Sequence, residues 1–296
     1  MIQNIISNSY KNAKRIPLKK DSKFIFFSDC HRGDNSYADD FANNSNIYYH
    51  ALRNYLENDF TYVELGDGIE LWENMYFNGI FEAHKNSFML LREFHLKNKL
   101  HMIWGNHDMI LKSAKKSAKI LDSYFDKITG TDKDLLKGLV FEEGIILEPE
   151  GFEKDILLIH GHQADFYNYV LWKWNRFLVR VLWKPLQIIG IKDPTSPARN
   201  FKELIKVERK IKKWILANNN QMVISGHTHR PRFPEPNELP YFNDGSCIHP
   251  RSITGIEIVD MQISLIKWHI ISRDDGTLQI VKTVLEGPTA IDLYLV

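Results

Sequence analysis

Short apolar runs, each stopped by a polar turn, recur along this chain. Lys23 to Phe27 is apolar without alternation, the pattern of a strand buried on both faces, and it ends at Ser28-Asp29-Cys30-His31. Phe60 to Leu65 repeats the pattern and ends at Gly66-Asp67-Gly68. Lys99 to Trp104 ends at Gly105-Asn106-His107-Asp108, and Ile156 to Ile159 ends at His160-Gly161-His162. Gln221 to Ser225 ends at Gly226-His227-Thr228-His229. Helical spacing covers residues 39–58 and 80–98, and residues 109–136 read as mostly helical and polar. Residues 163–220 form a long helical stretch. Beyond it, residues 241–247, 255–259, 263–271 and 278–284 read as β segments, with Asp274-Asp275-Gly276 as a turn. These late strands predict a second sheet packed on the first. With no internal repeat and no low-complexity linker, the reading is one domain over residues 1–296, with residues 163–220 inserted as a helical lid.

Composition narrows the class. A length of 296 residues with 44% hydrophobic and 12% aromatic content is ample for a large core. A net charge of +1 provides no global field for nucleic acid or a membrane. Cys30 and Cys247 are too few for a disulfide framework and fit a reducing cytosol. The first twenty residues carry lysines without an apolar signal core, and no apolar run is long enough to span a bilayer. The expectation is a soluble, cytoplasmic protein.

The chemistry lies at the strand exits. Asp29 and His31, being two apart, share a face, as do His160 and His162, and His227 and His229. In open α/β sheets a site lies beyond the carboxyl ends of the strands. Glycines at 66, 105, 161 and 226 let the backbone turn sharply there. Asp, Asn and His without cysteine suit a divalent ion such as Mn, Fe or Zn, and the donors outnumber the needs of one ion. Two ions about 4 Å apart would clamp the attacking and leaving oxygens of a phosphoryl displacement.

Asp29-x-His31, Gly66-Asp67, Gly105-Asn106-His107-Asp108, His160-Gly161-His162 and Gly226-His227-Thr228-His229 resemble, in content and order, the calcineurin-like metallophosphoesterases. The resemblance spans about residues 23–260 and implies an α/β fold of four layers, two mixed β-sheets face to face flanked by helices. It implies two divalent metal ions, Mn foremost. Asp29, His31 and His229 would hold the first; Asn106, His160 and His227 the second; Asp67 would bridge them. A metal-bridging hydroxide would attack a phosphoester or phosphoanhydride, with His107 assisting the leaving oxygen rather than ligating. His162 either lines the site or supports it. Asp108 either orients His107 or caps the following helix. Arg32 either contacts phosphate or balances Asp34 on the surface.

Arg230-Pro231, Glu70 and Trp72 after Gly66-Asp67, and the helical insertion are similar to UDP-diacylglucosamine pyrophosphohydrolases, whose insertion is a lid over acyl chains. The chain departs from them at Gly161-His162, where they carry an acidic residue after the glycine, and in the run Asp29-Cys30-His31-Arg32-Gly33-Asp34. The substrate classes implied are phosphorylated small molecules and lipid-linked diphosphates such as a UDP-acyl sugar, with Arg230 a candidate contact. A broad phosphodiesterase or monoesterase, a nuclease and a non-catalytic scaffold are the alternatives. Within the insertion, Lys173, Arg176, Arg180 and Lys184 make a basic stripe on a helix rich in tryptophan, including Trp172, Trp174 and Trp183. That suits peripheral contact with the inner membrane face, and equally a lid whose basic face is solvated. Glu70, Trp72 and Glu73 either face substrate or begin a helix, and Asn243-Asp244-Gly245 and His249 either line the cleft or form a turn.

Overall fold

A computed structural model describes residues 2–165, 169, 172–179, 181 and 201–295. The chain opens with α1 (Ile2–Asn12), β1 (Lys14–Leu18) and β2 (Lys23–Phe27), then α2 (Ser45–Glu57), β3 (Thr61–Glu64), α3 (Phe77–Ala83), α4 (Lys85–Leu96) and β4 (Leu100–Ile103). Helix α5 (Ala114–Leu121) precedes β5 (Ser123–Asp126), β6 (Thr131–Asp134), β7 (Phe141–Glu142), β8 (Gly144–Pro149) and β9 (Ile156–Ile159). The insertion supplies α6 (Trp172–Leu178) and α7 (Phe201–Ala217). Strands β10 (Met222–Ser225), β11 (Tyr241–Asn243), β12 (Ser252–Val259), β13 (Gln262–Ser272) and β14 (Leu278–Ala290) complete the fold.

Two sheets result, one in the order β1-β8-β9-β10-β11 and one in the order β14-β13-β12-β2-β3-β4-β7. Within the larger, β2, β3, β4 and β7 run parallel; within the smaller, so do β9, β10 and β11. The alternation of side chains along each strand builds the layers. Phe24 and Phe26 point between the sheets, against Leu158, Met222, Ile224 and Phe242. Ile25 and Phe27 point the other way, onto Tyr48 and Leu52 of α2 and Leu91 of α4. On the smaller sheet, Leu157, Ile159 and Val223 meet Ile6 of α1 and Val207, Ile211 and Trp214 of α7. Each such aliphatic side chain contributes roughly 1.5–3 kcal/mol on burial. The expected four layers are therefore present.

Two expectations are corrected. The late strands β12 to β14 do not form the second sheet; β12 pairs antiparallel with β2 and extends the first. Apolar patterning marks a strand but not its neighbour, and the second sheet is made by β1 and β8 to β11 instead. Residues 109–136 are helical only in a short 3-10 turn and α5, after which β5 and β6 form a hairpin. Its turn places Gly130 at φ 67°, a conformation glycine adopts freely. Helix α7 forms the outer helical layer of the smaller sheet with its basic face solvated: Trp214 and Ile215 are buried while Lys206, Arg209 and Lys213 face out. The basic positions Arg180 and Lys184, and Trp183, lie outside the described residues.

Candidate metal centre

Loops leaving β2, β3 and β4 of one sheet and β9 and β10 of the other converge at the shared carboxyl edge. Asp29, His31 and His229 bring ligand atoms within 4.8 Å of one another, and so do Asp67, His160 and His227. Asp67 lies between the two groups, with Oδ2 3.2 Å from His160 Nε2 and 3.7 Å from His31 Nε2. Asp29 Oδ1 is 3.0 Å from His229 Nε2, 3.7 Å from His31 Nε2 and 3.9 Å from His160 Nε2.

The backbone is held in an uncommon form to achieve this. Asp29, His31, Asp67, His227 and His229 have φ between 47° and 69°, left-handed values that side chains with a Cβ rarely adopt. Each costs on the order of 1–3 kcal/mol and persists only where its surroundings enforce it. His227 N donates to Asp29 Oδ2 and His107 N to Asp67 Oδ1, both at 2.8 Å, so each carboxylate also ties down a neighbouring loop. Gly105 and Gly226 are needed for close approach more than for turning. A Cβ on Gly105 would collide with Asp67 Oδ1, and one on Gly226 would lie 2.7 Å from Asp29 Oδ2.

The ring nitrogens have assigned roles. His160 Nδ1 donates to Leu65 O at 2.8 Å, which turns Nε2 toward the carboxylates. His31 Nδ1 contacts Glu70 Oε2 at 2.9 Å and likewise turns Nε2 inward. Ring nitrogens and carboxylate oxygens gathered this closely out of water require positive charge among them. Asp29 Oδ1, His31 Nε2, Asn106 Oδ1, His160 Nε2 and His227 Nε2 are all buried without a hydrogen-bond partner. Such atoms are costly to bury unless satisfied, and a divalent cation satisfies them. The residues present fit a divalent metal site. The charge balance agrees: burial would push Asp29 up, but His229 and His160 hold it well below the usual carboxylate range. Burial disfavours protonated His160, yet Asp67 and Asp29 raise it to about 9.

Around this set stands a supporting ring. Glu70 grips two histidines with one oxygen, His31 Nδ1 at 2.9 Å and His107 Nδ1 at 2.7 Å. The His107 contact is an ion-pair approach whose N–H direction is not aligned for a hydrogen bond. Burial would raise Glu70, but His107 and His31 outweigh it and hold it at about 2, so it is a carboxylate at neutral pH. Trp72 stacks on His107 with centroids 4.3 Å apart. Glu70 and Trp72, read in sequence as substrate-facing or as a helix start, instead position histidines. On the far side Ser28 Oγ lies 2.5 Å from Asp29 Oδ2 and 2.7 Å from Asp244 Oδ1. One hydroxyl proton cannot serve both. Burial and the Asp29 charge push the Asp244 carboxyl well up from its usual range. Asn243 Nδ2 donates to Gly226 O at 2.6 Å, bracing the last histidine loop.

Residues 22–231 match the calcineurin-like phosphoesterase family, from just before β2 to just past His229. The chain belongs to that family. Among solved structures, a predicted phosphoesterase from Streptococcus pneumoniae TIGR4 is 14% identical, over 89% of this chain and 97% of its own, with a TM-score of 0.36. Vps29 from Entamoeba histolytica, complexed with zinc, is 14% identical over 89% and 99%, with a TM-score of 0.40. A putative 5'-nucleotidase from Staphylococcus aureus is 12% identical over 90% and 54%, with a TM-score of 0.36. Likenesses this distant carry no argument about chemistry. No curated protein matches the chain.

Of the four sequence-based substrate candidates, Arg32 and Asp108 are placed differently from expectation, and His162 takes one of its two expected places. Arg32 is fully buried, its guanidinium bonded to both Glu64 oxygens at 2.6 and 2.8 Å and to Tyr48 OH at 3.0 Å, so it neither reaches a phosphate nor balances Asp34 at the surface. Asp108 neither orients His107 nor caps a helix; it accepts from Gly105 N at 2.6 Å and Gly68 N at 2.9 Å and joins two metal loops. His162 is buried against Trp104, Tyr169 and His160, a supporting place, and burial keeps its ring neutral. Arg230 is exposed beside His229.

Proposed function

We propose that this chain is a dinuclear metal-dependent phosphoesterase. The observation that carries the reading is the pair of three-residue ligand groups meeting at Asp67, with their inward-facing atoms buried and unpartnered. Asp29, His31 and His229 would hold one ion and Asn106, His160 and His227 the other, with Asp67 shared. The donor set suits Mn, with Fe and Zn as alternatives. Bound ions would supply Lewis acidity and lower the pKa of water at the site. The chain's own groups do the rest. His107, a fifth exposed at its side chain, is within reach of a bound phosphoester, and Glu70 and Trp72 fix its ring. It assists the leaving oxygen by proton donation or hydrogen bonding. The left-handed loop backbones keep the ligands in place before substrate arrives, which lowers reorganisation in the transition state.

The substrate reading is a phosphorylated small molecule or a lipid-linked diphosphate such as a UDP-acyl sugar. Support for the lipid part comes from α6, whose Trp174 and Phe177 are exposed at helical spacing, with Val181 continuing the stripe. Such a face suits acyl chains or peripheral membrane contact, and among the described residues no helix is long and apolar enough to cross a membrane. The test is Mn-dependent hydrolysis of bis(p-nitrophenyl) phosphate. Asn106→Ala and His160→Ala should abolish it in folded protein, and His107→Ala should cut turnover about 10²–10⁴-fold with metal content intact. Unchanged turnover in the ligand variants would refute the reading.

A further inference from the structure

The loop leaving β11 is braced more heavily than a surface turn requires. Asn44 Nδ2 reaches three of its carbonyls, Cys247 O at 2.8 Å, His249 O at 2.6 Å and Ser252 O at 3.2 Å. Cys247 N donates to Asp29 O at 3.3 Å, stitching the loop to the backbone of a metal-ligand loop. Two groups on this loop have no use in the chemistry so far. His249 Nε2 is buried without a partner. Arg251 sits at φ 57°, a strained value for a long side chain, is exposed, and pairs with no carboxylate among the described residues. His249 also feels the metal centre: burial and His229 keep its ring below the ordinary histidine range, while Asp29 opposes them. An imidazole with an unpartnered ring nitrogen and an exposed guanidinium on one braced turn form a donor pair for anionic oxygen. Arg32 is already consumed by Glu64.

We propose that the turn His249-Pro250-Arg251 binds a second phosphoryl group of the substrate, beside the one held at the Asp29–Asp67 centre. This rests on the phosphoesterase reading and narrows its substrate to a phosphoanhydride. In the hydrolysis, a water oxygen bonds to the phosphorus at the centre and the bond from that phosphorus to the bridging oxygen breaks. The bridging oxygen leaves with the electron pair on the second phosphate, and one water proton is released. His249 and Arg251 bear the charge that develops on that leaving phosphate.

The test is competitive inhibition of bis(p-nitrophenyl) phosphate hydrolysis by adenosine 5′-monophosphate and 5′-diphosphate, in excess Mn. The diphosphate should inhibit wild type about tenfold more strongly than the monophosphate, the size of one good charged contact. Arg251→Ala and His249→Ala should each raise the inhibition constant of the diphosphate about tenfold and that of the monophosphate less than about threefold. Arg251→Lys should fall between, since it keeps the charge and loses the fork. The monophosphate constant also reports whether each variant keeps an intact centre. Equal inhibition by the two nucleotides in wild type, or parallel weakening of both in the variants, overturns the proposal while leaving the phosphoesterase reading standing. No hydrolysis of the aryl diester by wild type would bring down both.

Discussion

At the scale of single residues, Glu70 is the position whose role is most sharply defined by geometry. Its Oε2 contacts His31, of the first ligand group, and His107, proposed to assist the leaving oxygen, within 2.9 Å of each. Glu70→Gln keeps the shape but removes the charge that fixes both rings. Outer partners of this kind typically alter metal affinity or activity 10- to 100-fold. We expect Mn affinity by titration to weaken by about that factor and kcat to fall as well. Loss of kcat with unchanged Mn affinity would show that Glu70 serves His107 alone. This role was only half legible in sequence. Asp29, His31, Asp67, Asn106, His107, His160, His227 and His229 announce themselves by chemistry and position, each just past an apolar run. A glutamate three residues beyond Asp67 has no such mark, since acidic residues are equally common at helix starts. Arg32 misleads for the opposite reason. Its neighbour His31 faces the centre, but side chains on adjacent residues diverge, and Arg32 ends beneath the site against Glu64.

At the scale of elements, the strand exits were legible and the sheet order was not. Unbroken apolar runs such as Ile156 to Ile159 are buried on both faces and so identify themselves, but which strand lies beside which depends on contacts far apart in the chain. Likewise the insertion reads as helical, yet its second helix is scaffold because Val207, Ile211 and Trp214 meet the smaller sheet. The loops joining strands to site impose the tightest limit. Gly226 passes so near Ser28 and Asp29 that a methyl group would intrude on the side chains of both. We therefore expect Gly226→Ala to displace the β2 and β10 loops relative to each other. Mn binding should weaken at least about tenfold, as when a metal's supporting contacts are removed, with the far-ultraviolet circular dichroism unchanged. Wild-type Mn affinity in Gly226→Ala would show that the loops have room the packing does not suggest.

At the scale of the whole molecule, the centre lies where loops of the two sheets meet, at the carboxyl edge of the apolar packing between them. Asp29, His31, Asp67 and Asn106 hang from the larger sheet, and His160, His227 and His229 from the smaller. Two of the ligand groups contain residues from both sheets, His229 with Asp29 and His31, and Asp67 with His160 and His227, while His31, Asp67 and His107 form a third within the larger sheet. Metal held there is a cross-link as well as a catalyst. Ligands that bind only the folded state stabilise it by mass action, about 2.7 kcal/mol at a hundredfold excess over Kd. The effect should be larger than for a site within one loop, because without positive charge the carboxylates and ring nitrogens of the two sheets face one another across a buried gap. Chelation should accordingly lower the melting temperature by several degrees, and Mn should restore it in proportion to log concentration above Kd. Asn106→Ala should shrink that Mn-dependent rise, whereas His107→Ala should leave it if His107 serves the substrate, as proposed, and not the metal. A melting temperature indifferent to chelator and Mn would mean that the strand-exit residues do not join the two sheets through metal.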